Sequence, residues 1–350
     1  MLARLISGDR PGSPLLAALL VAVLLALAFA PFIFPGVRSL NTAATICIFI
    51  LLVASYDLLL GYSGIVSFAH TMFFGLGAYG VALASIHMGR GWDALIVGTL
   101  TGAVAAAVLA LLIGLFSLRV RAIFFAMITL AVASAMAVLV SQLFEITGGE
   151  DGLTYQIPRE LTPAFRLGEF LGVGINGRIL NYYLVFFACL ALFLVLLRVV
   201  NSPFGRVLQA IRENDFRAEA IGYRVVLYRT AATCMSAATA ALAGSLYAIW
   251  LRYVGPDTTL SFEIMLDVLL MVVIGGMGTM YGAVLGAVIF VLAQNYLQNL
   301  MGAGAEALAG VPLLPDLLNP DRWLLWLGVL FVLSVYFFPT GIVGRLRVGR

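Results

Sequence analysis

Charged residues fall in short clusters along this chain, and nine uncharged, strongly apolar stretches run between them: 11–37, 39–56, 58–89, 94–118, 122–144, 179–197, 230–251, 268–305 and 323–344. Each is long enough to cross ~30 Å of hydrocarbon as a helix of about 20 residues. A helix suits that medium because it pairs its own backbone N–H and C=O groups where no water can do so. The stretch 58–89 divides into a Gly-rich opening, Gly61-Tyr62-Ser63-Gly64, re-entrant or tightly bent, and a span from about Met72 to Met88. The stretch 268–305 is too long for one helix and breaks at Gly275-Gly276-Met277-Gly278, so it holds two. The pattern predicts an all-α polytopic integral membrane protein of about ten transmembrane helices with Gly-rich re-entrant or broken segments.

Composition agrees: 63% of the 350 residues are apolar and only 11% charged, where a soluble domain carries about a quarter charged residues. The connections at 145–178, 199–229 and 301–322 are too short for a soluble domain, so residues 1–350 read as a single membrane domain. Arg4 and Arg10 before an apolar run ending Ala28-Phe29-Ala30 resemble a secretory signal. Pro31 at the would-be mature start, and a run far longer than a signal's core of about 7–15 residues, favour a retained first span.

All twenty basic residues are arginine. Without lysine the chain has no phosphate-loop lysine and forms no Schiff base, so ATP driving this protein is bound by another chain. Cys47, Cys189 and Cys234 lie singly in apolar stretches, and His70 and His87 fall far short of metal-ligand spacing; no metal site is expected. If the N-terminus lies inside and the spans alternate, thirteen arginines and four acids fall inside, against seven arginines and eleven acids outside. That asymmetry places both termini and 199–229 inside, and 145–178 outside.

The segment Gly172-Val-Gly174-Ile-Asn-Gly177 spells GxGxxG but precedes a membrane span, and reads as a flexible loop. The 199–229 segment carries more. Ser202-Pro203 opens a first short helix to about Arg212, Asp215 can cap a second, and Gly222 stops it. Glu213, Asp215 and Glu219 interleave with Arg212 and Arg217 beside an apolar face of Phe216, Ala220 and Ile221. An interfacial connector meeting lipid phosphates is one reading; the mixed charge suits docking into a protein groove better.

Four runs then carry a resemblance: Gly61–Tyr79 (GYSGIVSFAHTMFFGLGAY), Thr147–Leu153 (TGGEDGL), Ile211–Gly222 (IRENDFRAEAIG) and Val273–Gly286 (VIGGMGTMYGAVLG). In this order they resemble the permease subunits of branched-chain, hydrophobic amino-acid ABC importers, most of all the second permease, with the longer outer loop. The resemblance implies a translocation subunit in a bacterial inner membrane, with 145–178 periplasmic and both termini cytoplasmic. It also implies a second permease, two cytosolic ATPases that bind the ATP and Mg, and a periplasmic solute-binding protein. No nucleic-acid partner is implied. By match to the coupling loop, Arg212, Glu213, Asn214, Asp215, Arg217, Glu219 and Gly222 would meet the ATPase. Sister systems for urea or short amides share nearly the same blocks, and an ion-coupled secondary transporter is the other alternative.

Asp57, Gly61, Tyr62, Gly64, His70, Asp267, Gly275, Gly276 and Gly278 are candidates for the translocation path or its gate. An acid within a span costs roughly 2.5–3.5 kcal/mol at the membrane centre, so Asp57 and Asp267 need a reason. Asp57 either pairs with Arg119 or Arg121 or lines the path. Asp267, one turn after Glu263 near a helix start that Ser261 can cap, is either structural or at the solute's mouth. His70 either holds the Gly-rich opening by a hydrogen bond or belongs to the path. The spacings Gly98/Gly102 and Gly278/Gly282/Gly286 allow close helix approach, for static packing and for movement alike.

Overall fold

The computed structural model describes residues 13–33, 36–117, 122–170, 173–307, 319–337 and 341–348. It is an all-α polytopic membrane protein: among the described residues, eight helices are long and apolar enough to cross a bilayer. In chain order the principal helices are α1 (Pro14–Ala28), α2 (Val37–Asp57), α3 (His70–Met88), α4 (Trp92–Ser117), α5 (Ala122–Gln142), α6 (Gly177–Val200), α7 (Pro203–Glu213), α8 (Asp215–Ala220), α9 (Val225–Leu251), α10 (Phe262–Gly275), α11 (Met280–Ala307), α12 (Trp323–Phe337) and α13 (Gly341–Val348). The short apolar α1 and α12 accompany the eight long spans.

Helix starts follow local chemistry. Ser13 caps α1 through its Oγ on Leu16 N (3.2 Å), Asn176 caps α6 through Oδ1 on Ile179 N (3.2 Å), and Ser261 caps α10 through Oγ on Ile264 N (3.3 Å). Each side chain accepts from one of the four N–H groups that a helix start leaves unpaired.

The helix α2 is the hub, buried along most of its length among α6, α9, α10 and α11. A second layer forms where α3 packs between α4 and α9. At the α3–α4 crossing, a Cβ on Gly98 would strike the carbonyl of Gly80, so the predicted Gly98/Gly102 face is a backbone-to-backbone contact. Tyr182 and Tyr183 of α6 donate to the carbonyls of Leu27 (2.5 Å) and Ala28 (3.0 Å), pinning the end of α1. By contrast α5 is largely exposed on its outer face.

One expectation is narrowed and two need correction. Of the two forms expected for the Gly-rich opening, it takes the tightly bent one and not the re-entrant one: α2 runs on through a π-helical turn, Leu58–Ser63, closed by Gly64 in the left-handed region (φ 72°), and α3 starts at His70. The described part of the GxGxxG segment is not a flexible loop, because Val173–Asn176 forms strand β3, paired antiparallel with β2 (Arg166–Phe170), while residue 172 lies outside the described residues. Alternating Val173 and Ile175 favour extended backbone there. Gly278 does not share a helix face with Gly282 and Gly286; it lies in the turn before α11, at φ 79°. The 145–178 segment is further tied down by β1 (Leu153–Thr154), which pairs with β4 (Tyr253–Val254) between α9 and α10.

Candidate functional site

The predicted site residues gather mostly at one end of the bundle, where α2 ends, α10 and α11 break, and the 199–229 segment lies. That segment is a mounted two-helix platform. The helix α7 turns Gly205, Leu208 and Ile211 inward, and Ile211, Ala218 and Val225 form a small apolar cluster under α8. Arg229 of α9 adds an ion pair to Asp215 (3.7 Å). The N-cap of α8 is Asn214, not Asp215: Asn214 takes the extended conformation and its Oδ1 accepts from Arg217 N (2.9 Å), leaving Asp215 in the first turn. At the other end, Gly222 N donates to Glu219 O and Tyr223 N to Ala218 O, with Gly222 at φ 98°; this is a Schellman stop, which needs a left-handed residue. Glu213, Asn214, Arg217, Glu219 and Gly222 are exposed, as are Phe216 and Ile221 at 82% and 69%. Two large apolar side chains, Phe216 and Ile221, thus stand exposed among charges on a fixed platform.

The platform reaches into the bundle through one side chain. Arg212, at the end of α7, lays its stem against Gly64 and donates from its guanidinium to Gly61 O. Beside it, the buried carboxylate of Asp57 accepts from Gly278 N (2.8 Å), and the Arg212 guanidinium acts on that carboxylate electrostatically. Gly61 fits only as glycine, since a Cβ there would meet both Asp57 and the Gly278 amide; a Cβ on Gly278 would meet the Arg212 guanidinium. Three segments distant in sequence thus meet at a point: the end of α2 with its π-turn, the α10–α11 break and α7. Residues 119 and 121, the partners expected for Asp57, lie outside the described residues.

The remaining candidates surround this point or stand apart from it. Tyr62 is buried in the π-turn. At the break, Gly275 abuts the Gly282 backbone, and Gly276 lies against Gly341 at the start of α13. His70 Nε2 is 2.8 Å from Ser55 Oγ. Because that hydroxyl spends its proton on Leu52 O (2.7 Å), the imidazole donates from Nε2. Thr129 of α5 accepts from Phe68 N (3.1 Å), so the start of α3 is tied to α2 and α5, and Ser236 of α9 donates to Ser55 O (2.6 Å), tying α2 in turn to α9. Asp267 stands apart, half-buried on α10 one turn after Glu263 and nine residues, roughly 13 Å of helix, before Gly276.

Sequence reasoning missed Ser55, Thr129, Ser236 and Gly341. Single small residues in apolar stretches carry no spacing signal, and only the helix packing reveals their partners. Among the described residues no group of His, Cys, Asp or Glu side chains could hold a metal ion.

A bundle of apolar helices, with a glycine break between α10 and α11 and one arginine joining it to an exposed two-helix platform, makes this a multi-pass membrane protein. The profile described as branched-chain amino acid transport system, permease component, matches residues 38–335, and the chain belongs to that family. It is 30% identical over 299 residues to the high-affinity branched-chain amino acid transport system permease protein LivM of Salmonella typhimurium, covering 81% of this chain and 69% of the relative. It is 29% identical over 327 residues to the same-named protein of Escherichia coli, covering 89% and 75%. A probable branched-chain amino acid transport permease protein LivM of Methanocaldococcus jannaschii is 28% identical over 219 residues, covering 61% and 58%. No solved structure matches the chain.

Proposed function

We propose that this chain is the translocation subunit of an ATP-driven importer for branched-chain or other small hydrophobic amino acids in a bacterial inner membrane. Family membership supports the transport role, and the names of the relatives support the solute. The observation that carries the coupling role is the reach of Arg212 from the exposed platform to Gly61, beside the Asp57–Gly278 contact. A partner that moves the platform would move the end of α2 and the α10–α11 break with it. The partner is a cytosolic ATPase seated on Phe216, Arg217, Glu219 and Ile221. It supplies ATP and Mg, which a chain without lysine would not hold in a phosphate loop. A second permease and a periplasmic binding protein complete the assembly.

Reconstitution tests this. The chain alone is expected to hydrolyse no ATP and move little leucine, whereas the complex with two ATPases, second permease and binding protein imports leucine in preference to urea. Hydrolysis by the purified single chain, or urea uptake outpacing leucine, would overturn the assignment. The arginine asymmetry supports an orientation with both termini in the cytoplasm and 145–178 in the periplasm. A thiol at Leu167, which is 59% exposed on β2, is expected to react from the periplasmic side in a background lacking Cys47, Cys189 and Cys234. Labelling only from the cytoplasm would reverse the orientation.

A further inference from the structure

Where α10 begins, a cavity of about 290 Å³ opens between the first turn of α3, the middle of α5 and residues 256–262, with Phe68, Thr71, Ser134, Asp257 and Phe262 in its lining. A neighbouring cavity of about 430 Å³ shares Ala137, Val138, Pro256 and Asp257 and adds Ser141 and Glu150. The two form one space with chemically distinct ends. At one end the rings of Phe68 and Phe262 lie 6.1 Å apart and inclined at 47°. At the other stand the carboxylates of Asp257 and Glu150, with no arginine in either lining. The apolar end removes a hydrophobic group from water, and the acidic end attracts a cation.

A third recognition element lies on the same cavity as the aromatic pair. The N-cap position of α3 is Ala69, which offers no acceptor side chain, and Thr71 of the first turn lines the cavity. The leading N–H groups of α3 thus lack the side-chain cap that Ser261 gives α10, and such a helix start favours a negative group.

We propose that the joined cavities hold the solute during passage, and that they recognise an α-amino acid with a compact aliphatic side chain. The side chain packs on Phe68 and Phe262, the ammonium faces Asp257 and Glu150, and the carboxylate lies toward the start of α3. The proposal rests on the permease reading. The part that takes the side chain, around Phe68 and Phe262, is the smaller of the two cavities at about 290 Å³, which suits a compact side chain.

The test uses the assembled transporter in proteoliposomes, with Cys47, Cys189 and Cys234 replaced by alanine and Ser134→Cys as reporter. Millimolar L-leucine is expected to slow thiol modification severalfold. 4-Methylpentanoate, which lacks the ammonium, and 3-methylbutylamine, which lacks the carboxylate, are expected to slow it far less. Asp257→Asn should weaken leucine protection roughly tenfold, or ~1.4 kcal/mol. Phe262→Ala should remove it, and Phe262→Leu should restore much of it. Leucine uptake is measured in the same vesicles. Uptake without protection at position 134, or equal protection by all three compounds, overturns the site and leaves the permease reading standing. Vesicles that import urea but no aliphatic amino acid overturn both.

Discussion

Gly61→Val is expected to abolish uptake while the chain still reaches the membrane. A side chain at this position meets the Asp57 carboxylate and the Gly278 amide together. The amide belongs to the turn joining α10 to α11, so it cannot yield unless the break itself moves. The Asp57–Gly278 hydrogen bond must therefore open. Overpacking a tight contact costs about 1–3 kcal/mol, and leaving a buried amide without its acceptor about 1–3 kcal/mol. Together they take a large share of a typical stability of about 5–15 kcal/mol. Thermal unfolding in detergent should fall by several degrees, and leucine uptake in vesicles should drop to background. Gly61→Ala should act in the same direction and less strongly. Wild-type melting and uptake in Gly61→Val would contradict the close contact.

The second large effect separates the charge of Asp57 from its hydrogen bond. Asp57→Ala leaves the Gly278 amide without its acceptor, at about 1–3 kcal/mol, and removes the negative group beside Arg212. Asp57→Asn keeps an acceptor oxygen for the Gly278 amide and puts an uncharged NH2 in place of the second oxygen. Uptake is therefore expected to be lost in Asp57→Ala and partly kept in Asp57→Asn. A double-mutant cycle with Arg212→Gln should give a coupling energy of about 0.5–3 kcal/mol, because both groups converge on the Gly61–Gly278 contact. A cycle that closes to zero would show that the platform and the break act independently.

Much of this architecture was legible in the sequence, for physical reasons specific to membranes. Hydrocarbon forces its spans to be long, uncharged and helical, so the charge clusters marked the ends of most helices, and the glycine run at 275–278 marked the α10–α11 break. The Schellman stop at Gly222 was legible because a left-handed residue there narrows the choice to glycine. Asn214 displaced Asp215 as the cap of α8 because either side chain can accept, and one residue of register decides which does. The short strands were not legible, since a four-residue pairing such as Val173–Asn176 with Arg166–Phe170 leaves almost no periodic trace. The meeting of Asp57, Gly61, Arg212 and Gly278 was hidden more deeply. Each residue had a reason on its own, but contacts spanning 151 and 221 positions depend on which helices pack, and no local spacing encodes that.

In the proposed importer, the exposed platform of α7 and α8 transmits the work of a separate ATPase into this bundle. The most direct measurement compares ATP hydrolysis with leucine uptake in purified complexes carrying Glu219→Arg or Gly222→Trp. Glu219 is exposed, so its reversal changes the docking face without touching the bundle. At Gly222 there is open space for a side chain, but its φ of 98° is one that other residues rarely adopt, so tryptophan deforms the helix stop and adds bulk to the same face. Both variants are expected to insert and assemble into the membrane normally, with uptake falling steeply and hydrolysis no longer stimulated by solute-loaded binding protein. Complexes of either variant that keep normal ATPase association, stimulated hydrolysis and leucine uptake would contradict the account.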